Sequence, residues 1–143
     1  AFFSNTDAGG KEIILEIEKQ KNFRIVPNML SSDFLSLMAC SDVMVGNSSA
    51  GIREAPSFSL PAVNIGSRQN GRLRAKNVID VDHNSNEIYE AISHALNDSV
   101  FLNSLNEISN PYGDGSSSKK IVNILEEIPL TSTLIQKEIS YEL

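Results

Sequence analysis

Between Val43 and Asp80 two short apolar runs flank a turn of small residues and a helix-like stretch. Val43-Met44-Val45 ends in Gly46-Asn47-Ser48-Ser49-Ala50-Gly51, and Ala62-Val63-Asn64-Ile65 opens into Gly66-Ser67-Arg68-Gln69-Asn70-Gly71-Arg72. Neither run alternates strongly between apolar and polar residues, which is how strands buried on both faces read. Strand, tight turn, helix, strand and basic loop in that order constrain the chain to a parallel arrangement. Such a unit leaves its loops at the C-terminal ends of the strands, where α/β proteins bind ligands.

The rest of the chain continues the alternation. Phe2-Phe3 reads as a short strand ending at Ser4-Asn5-Thr6-Asp7. From Ala8 to Lys21, Ile13, Ile14 and Ile17 are interleaved with Glu12, Glu16, Glu18 and Lys19, an amphipathic helix. Phe23-Arg24-Ile25-Val26 is a strand stopped by Pro27, and Ser31-Ser32-Asp33 is a cap for a helix through Met38. Further strands are expected over 42–45, 61–65 and 77–81. Further helices are expected from Ser48 to Ser57, from Glu87 to Leu96 with a cap at Asn84-Ser85-Asn86, over Val100–Ile108, and from Ser116 to Ile128. Asn110-Pro111-Tyr112-Gly113-Asp114-Gly115 is a turn cluster. Together these predict an α/β fold, a parallel sheet with helices on both faces.

A chain of 143 residues has room for one sizeable core, and 41 % hydrophobic residues fit an ordinary globular protein. No apolar run reaches the roughly 20 residues that a membrane span needs. The formal net charge of −6 argues against a nucleic-acid partner held by a broad basic surface. It leaves room for a phosphate held by backbone dipoles and one or two arginines. Cys40 has no partner for an internal disulfide and reads as a small core residue on a helix; a cytoplasmic origin follows. The opening Ala1-Phe2-Phe3-Ser4 carries no initiator Met, so the expectation is a fragment or a product of proteolysis.

Several residues have the chemistry of a nucleotide site. Ser48 and Ser49 stand where a strand turns into a helix; a serine there can cap the helix and still leave N–H groups for a phosphate, or cap it with no ligand at all. Glu54, six residues after Ser48, can accept two hydrogen bonds from vicinal hydroxyls or pair with Arg53 or Lys76. Arg68 and Arg72 sit four apart in the loop, where a guanidinium fork suits phosphate oxygens; two solvated loop arginines is the plainer alternative. His83 and His94 lack metal-ligand spacing and read as surface residues, and Asp80 and Asp82 end a strand without a metal role. No metal site is expected.

The segments GNSSAGIREAPSF and PAVNIGSRQNGR resemble the hydrolysing UDP-N-acetylglucosamine 2-epimerases, and the resemblance runs from about Phe3 to about Ile128. NIGSRQNGR is similar to the hydrolysing branch; the non-hydrolysing branch typically carries Thr-Glu-Arg-Pro-Glu there. The resemblance implies two Rossmann-like domains of GT-B type with the active site between them. Residues 1–128 then correspond to the C-terminal, UDP-binding domain with its first strand truncated, and 129–143 to a tail. It implies diphosphate contacts from Ser48, Ser49 and the Ala50 backbone, and ribose binding by Glu54. It further implies a binding role for Arg68, a substrate contact from Asn5 and uracil recognition by the Met29 backbone. Arg72 is a weaker candidate for binding. Leu73, Ala75 and Lys76 depart from the family's more usual Glu, Gly and Glu.

The implied reaction eliminates UDP across the first two sugar carbons, giving a 2-acetamidoglucal that takes up water to become N-acetylmannosamine, a precursor of sialic-acid-type sugars. The acid/base carboxylates and the usual catalytic histidine of the family would lie upstream of this chain, which would itself be inactive. No cofactor is implied. The implied partners are UDP-N-acetylglucosamine or a related UDP-sugar, the missing N-terminal domain, and further copies in a homo-oligomer. A GT-B glycosyltransferase for a nucleotide sugar and a non-catalytic nucleotide-binding module stand as alternatives.

Overall fold

The computed structural model describes residues 1–3 and 9–135. Three parallel strands form the sheet in the order β1 (Met44–Gly46), β2 (Ala62–Ile65) and β3 (Val78–Val81). The register pairs Val45 with Val63, and Val63 with Ile79. The expected strands at the N-terminus reduce to one parallel bridge between Phe2 and Val26. Val26 N–H donates to the Ala1 carbonyl at 2.9 Å, and the next residue, Pro27, has no N–H with which to extend a ladder.

Helix α1 spans Gly10–Glu18 and α2 spans Ser31–Ala39. The N-cap of α2 is Leu30, in extended conformation, so Ser31 lies inside the helix rather than capping it. Cys40 is exposed in the closing turn of α2, contrary to the expected core position. The inward residues of that helix are Met38 and Phe34, which pack on the core and leave Cys40 on the solvent side.

The expected helix from Ser48 to Ser57 is broken. A four-residue helix α3 (Ala50–Arg53) passes into a 3-10 turn over Ala55–Phe58. Pro56 at the second position of that turn removes an N–H, which ends α-helical bonding there. Helix α4 (Ser85–Asn97) begins as expected, with Asn84 Oδ1 accepting from the N–H groups of Asn86 and Glu87. The expected helix at 100–108 is α5 (Ser99–Ser104) followed by a 3-10 turn over Leu105–Glu107. Helices α6 (Ser117–Glu127) and α7 (Ser132–Ile135) follow. The tail beyond Ile135 lies outside the described residues.

Successive strand residues face opposite sides, and each side has its own core. Met44 joins Met38, Ala50, Ala55, Leu60 and Phe34 on one side. Val43 and Val63 join Ala91, Ala95, Ile79, Ile92 and Phe101 on the other. Helices α2 and α3 therefore cover one face and α4 and α5 the other, as an apolar parallel sheet requires. Fully burying a side chain such as Ile52, Leu60 or Val63 contributes roughly 1.5–3 kcal/mol. Gly51 permits the closest approach of α3 to the sheet, since a Cβ there would lie 3.2 Å from that of Ala62. No helix of the described residues is long and apolar enough to cross a membrane.

Candidate functional site

Because the strands are parallel, the segments after Gly46, Ile65 and Val81 leave the same edge of the sheet. The first holds Asn47, Ser48 and Ser49; the second is the basic loop. Two side chains of the loop reach back to the first segment. Gln69 Nε2 donates to the Asn47 carbonyl at 2.7 Å, and Arg68 Nη1 donates to the same oxygen at 3.2 Å. Gln69 is 2 % exposed, so this tie lies inside the protein.

Ser49 is the N-cap residue of α3, and its side chain makes no capping bond. Ser48 Oγ instead accepts from the Ala50 N–H at 3.3 Å. Glu54 closes α3 and is half-buried. Its Oε2 is buried with no hydrogen-bond partner, and among the described residues neither Arg53 nor Lys76 pairs with it. A buried carboxylate oxygen without a donor is costly, and a ligand hydroxyl would relieve it.

The loop is held at both ends. Gly66 opens it with a φ of 74°, a left-handed conformation. A Cβ on Gly66 would lie 2.7 Å from His83 Nε2, so the histidine ring rests against the bare glycine. His83, expected as a solvated residue, is exposed but has this packing role. Asp82 accepts from the His83 N–H at 2.8 Å, and that bond with the ring contact holds its pKa below the usual carboxylate value. Further along, Arg74 Nη2 donates to the Gln69 carbonyl at 3.0 Å. Arg74 Nε lies 3.2 Å from Asp80 Oδ2, near enough for charge attraction although its N–H is not aimed along the contact. Asp80 also accepts from Asn64 Nδ2 at 2.7 Å. Asp80 thus orders the loop, and no group of metal-binding residues occurs among those described.

Asn77, fully buried, clamps the helix side. Its Nδ2 donates to the Gly51 carbonyl at 3.1 Å and the Leu60 carbonyl at 2.9 Å. Of the remaining sequence candidates, Arg72 is exposed on the loop. Met29 lies in another loop, where its N–H donates to Asn28 Oδ1 at 2.8 Å and is already engaged. Asn5 lies outside the described residues. Gln69, Asn47 and Asn77 were not singled out from sequence; the placement of Gln69 inside NIGSRQNGR and of Asn47 inside GNSSAGIREAPSF signals a role. A hollow of about 480 Å³ lies elsewhere, along α1, between Glu12, Ile13, Glu16, Ile17, Gln20 and Phe23. Its charged groups are carboxylates, which repel a diphosphate.

The fold and its loops define a parallel α/β protein with a candidate ligand site at the C-terminal edge of the sheet. The chain belongs to the UDP-N-acetylglucosamine 2-epimerase family, which matches residues 1–126. It is 43 % identical over 136 residues to the UDP-N,N'-diacetylbacillosamine 2-epimerase (hydrolyzing) of Legionella pneumophila, covering 93 % of this chain and 35 % of that protein. Its fold is similar to that of S. aureus MnaA in a co-structure with UDP, with a TM-score of 0.66 and 23 % identity over 85 % of this chain and 34 % of the other. It is equally similar to UDP-GlcNAc 2-epimerase from Neisseria meningitidis bound to UDP-GlcNAc, with a TM-score of 0.66 and 22 % identity over 87 % and 35 %. The chain thus spans about a third of the length of the relatives it matches.

Proposed function

We propose that this chain is the nucleotide-binding part of a hydrolysing 2-epimerase acting on a UDP-2-acetamido sugar. The observation that carries the reading is the joint at Asn47. Its carbonyl gathers Arg68 and Gln69 onto the segment that holds Ser48 and Ser49. In this reading the serines and the Ala50 backbone meet the diphosphate, Arg68 neutralises it, and Glu54 receives the ribose hydroxyls. The S. aureus and Neisseria structures, with UDP and UDP-GlcNAc bound, support a uridine nucleotide as the ligand class.

In the proposed reaction the C1–O bond to UDP breaks as a proton leaves C2, and charge grows on the departing diphosphate. Arg68 remains charged throughout and is suited to stabilise that charge. Water then adds across the double bond, with inversion at C2. The proton transfers belong to residues outside the matched segment, in the two-domain arrangement of the family. UDP-N-acetylglucosamine and UDP-N,N'-diacetylbacillosamine are the sugars to compare, the second because of the Legionella relative.

Titration with UDP tests the reading. A site lacking contacts from a second domain should bind with a dissociation constant of about 0.1–1 mM, roughly 4–5.5 kcal/mol. NMR signals from Ser48 to Glu54 and from Arg68 should move together. No change in these signals up to about 10 mM UDP, roughly ten times the weaker constant, overturns the proposal. Neither sugar should be turned over by this chain alone.

A further inference from the structure

The turn Asn110–Gly115 is remote in sequence from the candidate site, yet two of its side chains grip both halves of it. Asn110 Nδ2 donates to the Arg53 carbonyl at 2.7 Å and to Ser57 Oγ at 2.8 Å. Glu54 lies between those two anchors. Tyr112 OH donates to the Leu73 carbonyl at 3.0 Å, at the far side of the basic loop. The grips are coupled, because Asn110 Oδ1 accepts from the Tyr112 N–H at 2.9 Å and Pro111 between them has a restricted φ.

The other ties on the loop join it to the sheet edge through Arg68, Gln69 and Arg74. They fix its base. Leu73, next to Arg74, adds a support from a different part of the chain, the phenol of Tyr112. The Arg53 carbonyl belongs to the last turn of α3, where carbonyls lack partners within the helix. An amide donor there holds the end of α3 and therefore the backbone from which Glu54 projects. The Asn110–Tyr112 turn is a brace spanning the gap between Glu54 and the loop of Arg68.

We infer that Asn110 and Tyr112 are positioning residues that set the separation of Glu54 and Arg68 for the ribose and diphosphate of one nucleotide. Neither is assigned a contact with ligand. The inference rests on the proposed roles of Glu54 and Arg68. It predicts that a change at Tyr112 acts through Arg68, and a change at Asn110 through Glu54.

The test is UDP affinity of the full chain, by calorimetry, in a set of double-mutant cycles. Tyr112→Phe removes one hydroxyl and keeps the ring. Asn110→Asp removes the donor and keeps the acceptor for Tyr112. Each should weaken UDP binding about threefold to tenfold. The combination of Tyr112→Phe with Arg68→Lys should lose at least about twofold less than the product of the single losses. Asn110→Asp should show the same shortfall with Glu54→Gln. A merely structural role lowers affinity in equal proportion in every background.

The outcomes separate the two claims. If Glu54→Gln and Arg68→Lys weaken binding while Tyr112→Phe has no effect, or only an independent one, the positioning role is wrong and the proposed function stands. If the unaltered chain does not bind UDP, or Glu54→Gln and Arg68→Lys leave affinity unchanged, the proposed function fails and this inference with it. Should Asn110→Asp not fold, the Tyr112 cycle alone decides.

Discussion

Gln69 Nε2 lies 2.7 Å from the carbonyl oxygen of Asn47, joining residues 22 apart in sequence at the C-terminal edge of the sheet. The amide is almost wholly buried, and its other atom, Oε1, has no partner. The bond therefore serves the joint between the two loops rather than the comfort of the side chain itself.

Gln69→Ala should cost about 1–3 kcal/mol, since a buried carbonyl loses its shorter hydrogen bond and a small cavity opens. Gln69→Glu should cost more, because it sets a carboxylate against a carbonyl oxygen. Urea denaturation checks both. A loss under about 0.5 kcal/mol for Gln69→Ala, the level of an ordinary surface change, contradicts the joint.

Asn77→Leu should be the more damaging change. It leaves the Gly51 and Leu60 carbonyls without their side-chain donor in a fully buried place. The expected loss is about 2–4 kcal/mol, read from denaturant midpoints at constant slope. α3 should also lose hydrogen-exchange protection before the rest of the sheet does. Uniform protection across α3 and β2 in the variant counts against the clamp.

Gly66→Ala should destabilise twice over. Its φ of 74° carries roughly 1–2 kcal/mol of strain for any residue with a Cβ, and the new methyl collides with the His83 ring. His83→Ala opens that space. The cost of Gly66→Ala should be smaller by at least about 0.5 kcal/mol in the His83→Ala background, a coupling that thermal melts of the four proteins can resolve. Strict additivity means that the ring does not rest on Gly66 in solution.

Acid should lower the chain's stability in a window set by three aspartates, the Asp98 cap of α5 and Asp82 and Asp114 in loops. Asp98 Oδ1 accepts from the Phe101 N–H at 2.8 Å, which lowers its folded pKa below the ordinary 3.8. Asp82 and Asp114 are lowered likewise, Asp82 by the N–H and ring of His83 and Asp114 by the hydroxyl and N–H of Ser116. A depressed folded pKa means that the unfolded chain binds protons first. The contribution is whole above pH 3.8 and is lost as pH falls toward the folded values. The melting temperature should therefore drop modestly below that pH, because these carboxylates face solvent and their interactions are screened. Asp98→Asn, which keeps the cap without the charge, should flatten the drop. An unchanged slope shows that Asp98 has no part in it.

Much of this was legible in the sequence, and the exceptions have physical causes. The apolar runs at Val43–Val45 and Ala62–Ile65 identified β1 and β2 because buried parallel strands announce themselves in composition. Asn84 was readable as a cap because its bond to Asn86 is local. Pro56 was a visible breaker near the end of the helix expected from Ser48 to Ser57, and reading the stretch as one helix passed over the missing N–H. Cys40 was misplaced because a helix face is fixed by its neighbours, here Phe34 and Met38. Ser48, Glu54 and Arg68 stood out by residue type and resemblance. Gln69, Asn77 and Asn110 did not, because their bonds reach 22, 26 and 57 residues along the chain and no local pattern encodes such pairings.

Helix α3 has only four residues, too few to persist without outside support. Its carbonyls are held by Asn77 and Asn110, both of which come later in the chain. On the ribosome the segment from Ser48 to Glu54 emerges before either anchor exists. This segment is consequently made early and shaped late. Translation that stops short of Asn110 yields a sheet whose C-terminal edge lacks one of the two anchors of α3, so the candidate site takes its final form only when that turn has been synthesised.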